Sequence, residues 1–330
     1  MMYLAIELPR AEGPVASMVP ESSETFLEGF MVVLRACIEK VDPGLHEAGT
    51  ICIRVCAIIL LVVLLKGISE KDSLKGLELA SVTAIGCVLL SPSVTLIRLG
   101  EEAIRSQSAY GKLLLPVMTG AMAAQGATAS SAGLYAVTAF LDSVLSTLLS
   151  NLILPALYLY LGLSIANAAT GEGLLGKLKD LFKWFMTWVL KMVLYGFTGF
   201  LSITGVVSGA ADATAVKAAK LAISGAVPVI GGILSDASEA VLVGAGLVKN
   251  SLGMYGLLTA LALYLSPFFQ IGTQYLMMKA TAAVSVSLGK GPASALVSDF
   301  ATAMGLILAV VSVQTVLLVV STVCFMRGVG

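Results

Sequence analysis

Residues 134–169 read LYAVTAFLDSVLSTLLSNLILPALYLYLGLSIANAA, an almost continuously apolar run that indicates a membrane protein. A helix crosses the hydrocarbon of a bilayer with about 20 predominantly apolar residues. The stretch is therefore too long for one straight crossing, and Asn151 and Pro155 predict a break near its middle. A soluble core does not need apolar runs of this length, so we expect lipid to surround it.

The composition agrees with a membrane protein and excludes several functions. Of the 330 residues, 58% are hydrophobic and 12% are charged, whereas an ordinary soluble domain has about 25% charged residues. Mean hydropathy is +0.96. Twenty basic residues balance twenty acidic ones. The chain thus lacks the excess of basic residues that would indicate a nucleic-acid ligand. The single histidine, His46, makes a histidine-based catalytic site or a zinc cluster unexpected. We expect neither enzyme activity nor a cofactor.

Three regions follow from the pattern along the chain. Residues 1–23 predict a disordered tail without an intact signal peptide. Residues 24–48 predict an amphipathic helix that ends near Pro43 and either packs on its own membrane domain or binds the interface or a partner. Residues 49–327 predict an all-α, polytopic transmembrane helical bundle. It has about 7–9 membrane segments, and some are short enough to be re-entrant.

The predicted segments come from run length and from small-residue content. An interfacial helix at 171–183 runs into one of them, with Trp184 and Trp188 at the membrane boundary. The segments are 51–65, 79–99, 113–125, 134–169 (broken), 185–207, 221–234, 252–278 (broken) and 300–326.

An internal duplication is predicted at an offset of 112 residues. Pro116 and Pro228 share this offset, as do Pro155 and Pro267. Repeat one would cover about 79–169 and repeat two about 191–281, followed by a final span at 300–326. Chance similarity between two apolar sequences is the alternative explanation, since the identity between the halves is low. Duplicated halves with broken helices are typical of transporters. The predicted helix-break residues are Pro116, Pro155, Pro228, Gly231, Gly232 and Pro267.

Asp142 and Lys191 are the ionisable residues that the sequence places inside apolar spans. A charge at that depth is costly, so each is expected to face protein or water. They would pair with each other or line a cavity. The alternative is a side chain that snorkels to the interface, or a span boundary that lies elsewhere.

A second polar group follows the motif at residues 227–231, VPVIG. Asp236 and Glu239 share one helix face, and Lys249 and Asn250 follow about three to four helical turns later. If these residues lie at membrane depth, they would line a polar path, or the two carboxylates would pair with Lys249. The alternative is an interfacial loop or helix start in which both carboxylates are solvated and Asp236 caps a helix.

Residues 217–253, KAAKLAISGAVPVIGGILSDASEAVLVGAGLVKNSLG, resemble the signature region of the stage III sporulation protein AE family. Residues 115–140 and 152–169 are similar to the family as well, and the resemblance extends over roughly residues 50–327. It implies a multi-pass protein of the mother-cell membrane around the forespore in an endospore-forming bacterium. The chain departs from the family at its start, where a hydrophobic signal sequence usually stands.

The resemblance also implies partners and a role. The family belongs to an assembly of co-encoded stage III sporulation proteins that forms a channel or secretion-like complex. That complex supports forespore development and late forespore gene expression. The implied partners are those membrane proteins and the lipid bilayer, and the chain could also self-associate. No catalytic residue is implied. Two alternatives stay open: a stand-alone secondary transporter with a duplicated fold, and a membrane scaffold without a pore.

Overall fold

The structure is a computed structural model that describes residues 26–39, 41–68, 74–124, 128–203, 251–289 and 291–328. Every regular element in these ranges is helical, which confirms the all-α prediction. The predicted tail at 1–23 lies outside the described residues. So does 204–250, which carries much of the proposed second repeat, and the duplication therefore stays a prediction.

The described residues form eight α-helices and one π-helical turn. In chain order they are α1 (Phe26–Glu39), α2 (Val41–Ile68), α3 (Leu74–Ala124), α4 (Thr128–Leu148), a π-helical turn (Leu149–Ile153), α5 (Leu154–Thr170), α6 (Gly173–Ile203), α7 (Ser251–Leu288) and α8 (Pro292–Gly328). Gly171 ends α5 with φ +69°, and such a left-handed residue lets the chain turn directly into α6.

Five stretches in the described part of the chain are long and apolar enough to cross a membrane: Gly44–Ile68, Leu74–Ala121, Tyr135–Thr170, Tyr255–Leu288 and Pro292–Val323. The molecule is thus a multi-pass membrane protein. The predicted spans at 79–99 and 113–125 both belong to α3, whose 51 residues extend over about 75 Å. The predicted span at 185–207 begins in α6 and runs beyond the described residues.

The predicted helix breaks at Pro116 and Pro267 are wrong. Pro116 lies inside α3 and Pro267 inside α7, and both helices continue past them. A proline removes one helical hydrogen bond, but neighbouring helices and local adjustments allow it in membrane helices. Pro155 behaves differently: it is the second residue of α5, and the π-helical turn Leu149–Ile153 ends two residues before it. The chain therefore changes helix type at Asn151 without leaving the helix.

The amphipathic N-terminal helix ends earlier than predicted. Helix α1 ends at Glu39, and α2 begins at Val41. Pro43 therefore lies in the first turn of α2 instead of ending α1. A proline is tolerated there because the first N–H groups of a helix have no helical acceptor. The buried face of α1, with Phe26, Val33 and Cys37, packs against α7 and α2. This is the first of the two predicted arrangements, a helix that rests on its own membrane domain.

Helix α8 occupies the centre of the bundle. Its most apolar part is 100% buried, against 28% for α2, and it packs against α3, α4, α5, α6 and α7. Small residues allow the closest approach: a Cβ placed on Gly100 of α3 would lie 2.6 Å from the Ile307 side chain of α8. Helix α8 is therefore enclosed by protein rather than by lipid.

Candidate functional site

Asp142 lies in the buried centre, where α3, α4 and α8 meet. It has 6% of its surface exposed. The Ser108 hydroxyl of α3 donates to Oδ2 at 2.9 Å, and the Gln314 amide of α8 donates to Oδ1 at 2.8 Å. Each carboxylate oxygen thus accepts a hydrogen bond from a different helix. This arrangement meets the requirement that a buried polar group be partnered.

A second pair of polar side chains extends the same layer. The Thr315 hydroxyl of α8 donates to Gln107 Oε1 of α3 at 3.2 Å and also to the Val311 carbonyl at 2.9 Å. Gln107 and Thr315 are adjacent in sequence to Ser108 and Gln314. Two neighbouring residues of α3 therefore face two neighbouring residues of α8. We call Gln107, Ser108, Asp142, Gln314 and Thr315 the central polar layer.

The central polar layer is not fully satisfied. Gln314 Oε1 and Gln107 Nε2 are buried and have no hydrogen-bond partner among the described residues. The first is an acceptor and the second a donor, so the layer can accept and donate at least one further hydrogen bond each. The layer can therefore bind a small polar group such as water.

A second polar contact lies nearer the start of α8. Lys179 of α6 forms an ion pair with Asp299 of α8 at 2.8 Å, with side-chain exposures of 13% and 16%. The hydroxyl of Tyr160 on α5, fully buried, donates to the other carboxylate oxygen at 3.2 Å. Three helices are again joined through one carboxylate. No ligand is required to satisfy it, so this contact acts as a clamp.

The two polar sites are separated along α8. Asp299 and Gln314 are 15 residues apart, or about 22 Å along the helix axis. The residues between them are largely apolar and buried, and Ser312 meets the Tyr264 hydroxyl of α7 at 3.2 Å. Helix α8 is therefore held at two levels by carboxylates, and between them mainly by side-chain packing.

The family model of stage III sporulation protein AE matches residues 20–329. The chain belongs to the stage III sporulation protein AE family. One curated relative is stage III sporulation protein AE of Bacillus subtilis (strain 168), 26% identical over 196 residues. That alignment covers 59% of this chain and 49% of the relative, so the match spans about half of the relative's length. No solved structure matches.

In this member of the sporulation family, the predicted site residues have different positions. Asp142 is buried in the central polar layer, but Lys191 is exposed on α6. The structure does not pair them: both oxygens of Asp142 accept hydrogen bonds from Ser108 and Gln314, and Lys191 is absent from the ion pairs among the described residues. The remaining predicted residues lie outside the described part of the chain: Pro228, Gly231, Gly232, Asp236, Glu239, Lys249 and Asn250.

Several residues of the site were not predicted. Gln314 and Asp299 both lie within the apolar sequence of α8, where a polar side chain is costly and thus informative. That signal could have identified them. Gln107 and Ser108 follow charged residues in a polar stretch of α3, which predicts an interfacial segment instead. Nothing in the local sequence indicates that they face Asp142.

Proposed function

We propose that this protein is an integral membrane subunit of a sporulation-specific channel or secretion-like complex between mother cell and forespore. The complex would be needed for forespore development and late forespore gene expression. The family match over residues 20–329 carries this proposal. The proposed location is the mother-cell membrane around the forespore, and the proposed partners are the other co-encoded stage III sporulation membrane proteins. The subunit itself is proposed to have no enzyme activity.

The enclosed centre supports a subunit rather than a transporter that works alone. Helix α8 and the hydrogen bonds on Asp142 fill the middle of the described bundle. A stand-alone transporter needs a path that opens alternately to both sides of the membrane. A pore formed with partner chains needs no such path inside one subunit. The outer faces are broad and apolar, with Leu61 and Trp184 among the exposed residues, and suit contact with lipid or other membrane helices.

Co-purification provides the first test. The tagged chain is extracted in mild detergent from sporulating cells, and the eluate is analysed by mass spectrometry for proteins encoded beside it. The proposal predicts a stable complex with those proteins. The vegetative cell membrane, with the gene expressed from an inducible promoter, is the matched control in which those partners are absent. Recovery of the chain alone from sporulating cells would count against the proposal.

The transporter alternative is favoured by one observation, the carboxylate of Asp142 buried in a candidate span. A proton-coupled carrier commonly uses such a group. The purified chain is therefore reconstituted in liposomes that contain pyranine, and proton flux is followed under a potassium gradient. A carrier would acidify the lumen and lose this activity in Asp142→Asn. A complex subunit would give the same trace as empty liposomes.

The conductance of the intact complex distinguishes a pore-lining subunit from a scaffold without a pore. The co-purified complex is placed in a planar bilayer, and cysteines are introduced singly at exposed positions of α6 and α2. If this subunit lines the pore, a charged thiol reagent at some of these positions changes the conductance. A scaffold would leave the conductance unchanged at all of them.

A further inference from the structure

An open cleft of about 510 Å³ lies between α2 and α3, away from the central polar layer. Its polar lining comes from Glu47, Thr50 and Arg54 of α2 and from Cys87 and Ser91 of α3. The Thr50 hydroxyl donates to the His46 carbonyl of its own helix. The volume is within the range of sites that hold small ligands. Both helices belong to candidate spans, so the cleft lies on the membrane domain.

The cleft contains one anion and one cation that do not neutralise each other. Glu47 and Arg54 are seven residues apart, so they point within about 20° of the same direction and lie about 10 Å apart along α2. Both side chains are exposed. Neither takes part in the ion pairs formed among the described residues. A ligand with a negative and a positive group in series would satisfy both.

The α3 side of the cleft adds hydrogen-bond acceptors. Pro92 has no N–H, so the carbonyl of Val88 loses the donor that it would have in an uninterrupted helix. Val88 and Ser91 both line the cleft. A carbonyl, a hydroxyl and the Glu47 carboxylate are the groups that an ammonium, with its three N–H donors, requires. The guanidinium of Arg54 can hold a phosphate through two parallel hydrogen bonds.

The position of the cleft favours a lipid over a soluble ligand. Beyond it, the outer surface of α2 is apolar and exposed, at Ile53, Leu60 and Leu64. On α3, Leu90 is exposed beside the cleft and Arg98 follows less than two turns after Pro92. Charged residues thus lie on one side of the cleft and lipid-facing residues on the other. This is the level at which headgroups meet acyl chains.

We propose that this cleft binds the headgroup of an amine-bearing phospholipid of the phosphatidylethanolamine class. Arg54 holds the phosphate, and Glu47 holds the ammonium together with Ser91 and the Val88 carbonyl. The acyl chains lie along the exposed apolar residues of α2. The site is separate from the proposed channel role and does not depend on it.

Lipid retention tests the proposal. The purified full chain is incubated with equal amounts of phosphatidylethanolamine, phosphatidylcholine and phosphatidylglycerol of identical acyl chains, and retained lipid is counted by native mass spectrometry. Wild type should retain the ethanolamine lipid in preference to the other two. Glu47→Gln should lower that preference about tenfold, because one charge-assisted contact is lost. Arg54→Gln should lower retention of all three lipids. Arg98→Gln, an exposed arginine outside the cleft, should match wild type.

Equal retention of the three lipids by wild type would overturn the proposal, and so would wild-type selectivity in both cleft variants.

A second measurement needs no variant. Cys87 lies in the cleft and is exposed, whereas Cys52 is partly exposed elsewhere on α2. Modification by N-ethylmaleimide, located by peptide mass mapping, should slow at Cys87 but not at Cys52 when phosphatidylethanolamine replaces phosphatidylglycerol in phosphatidylcholine vesicles. A Cys87 rate that is independent of the lipid would equally contradict the site.

Discussion

Asp142 and Gln314 are 172 positions apart in the chain, and the amide of the glutamine donates to the carboxylate of the aspartate at 2.8 Å. The contact joins α4 to the central helix α8, and both side chains are buried. With Ser108, it fixes three helices at one level of the bundle. The central polar layer therefore sets how α8 is positioned against its neighbours.

Replacement of Asp142 by alanine should destabilise the protein more than replacement by asparagine. Alanine leaves the donors of Ser108 and Gln314 buried without an acceptor, a cost of about 1–2 kcal/mol for two hydrogen bonds in a membrane protein. Asparagine can still accept from Gln314, and it can donate to Ser108 since a hydroxyl also accepts. Thermal unfolding in detergent, followed by fluorescence, measures the difference. Equal melting temperatures for the two variants would contradict this view of the layer.

The Lys179–Asp299 pair should behave as a partly buried clamp. Asp299→Leu leaves the Lys179 ammonium without its partner, and we expect a loss of about 3 kcal/mol because the pair is largely shielded from water. The double variant Lys179→Met with Asp299→Leu should recover part of that loss. The exposed pair Arg105–Glu101 is the matched control, since Arg105→Gln should change stability by less than about 0.5 kcal/mol. Additive effects at 179 and 299 would exclude a coupled pair.

Gly100→Ala should disturb the contact between α3 and α8. The new Cβ would lie 2.6 Å from Ile307, and such overpacking costs about 1–3 kcal/mol. Gly100→Ala combined with Ile307→Ala should be more stable than Gly100→Ala alone, because the shorter side chain makes room. Gly162→Ala serves as control, since nothing lies within 4 Å of its Cβ position. Thermal unfolding provides the measurement, and failure of the second substitution to rescue the first would refute the proposed contact.

Trp184 and Trp188 should report the position of the membrane interface. They are the two tryptophans of the chain, their rings stack at a centroid distance of 6.3 Å, and they are 60% and 46% exposed. Indoles prefer the level of the headgroups. In liposomes, lipids brominated near the headgroup should quench their fluorescence more strongly than lipids brominated near the chain end. Trp188→Phe should lower the signal without changing that order. An emission typical of water-exposed indole, with no quenching by either lipid, would place α6 outside the bilayer.

The long apolar runs were sufficient to predict an all-α membrane bundle, because run length reflects the thickness of the bilayer and needs no tertiary contact. The quoted signature residues also led to the family, which the match over residues 20–329 confirms. The helix ends were less predictable. Pro116 and Pro267 read as breaks in isolation, but packing against neighbouring helices supports the helix through both.

The candidate site was predicted only in part, for a related reason. Asp142 was visible because a charge in an apolar run is costly wherever it points. Its partners are 34 and 172 positions away, and no local pattern encodes such pairings. Lys191 is also a charged residue in an apolar run, but it is exposed on α6. A charge in an apolar run thus identifies an unusual residue but does not predict what that residue contacts.

The enclosure of α8 has a consequence for biosynthesis. Helices α3, α4 and α5 leave the ribosome before α8, so until Pro292 and the residues after it are made, Asp142 has no Gln314 to meet. The apolar sequence of α8, with a mean hydropathy of 2.5 in its span, is sufficient for it to enter the bilayer independently and then move between helices already in place. A nascent chain stopped before this step would present an open seam toward lipid, and its Asp142 carboxylate would lack the donor that Gln314 supplies. Completion of the fold would thus be a late event, and a chain caught in that half-assembled form would be a natural substrate for membrane proteases.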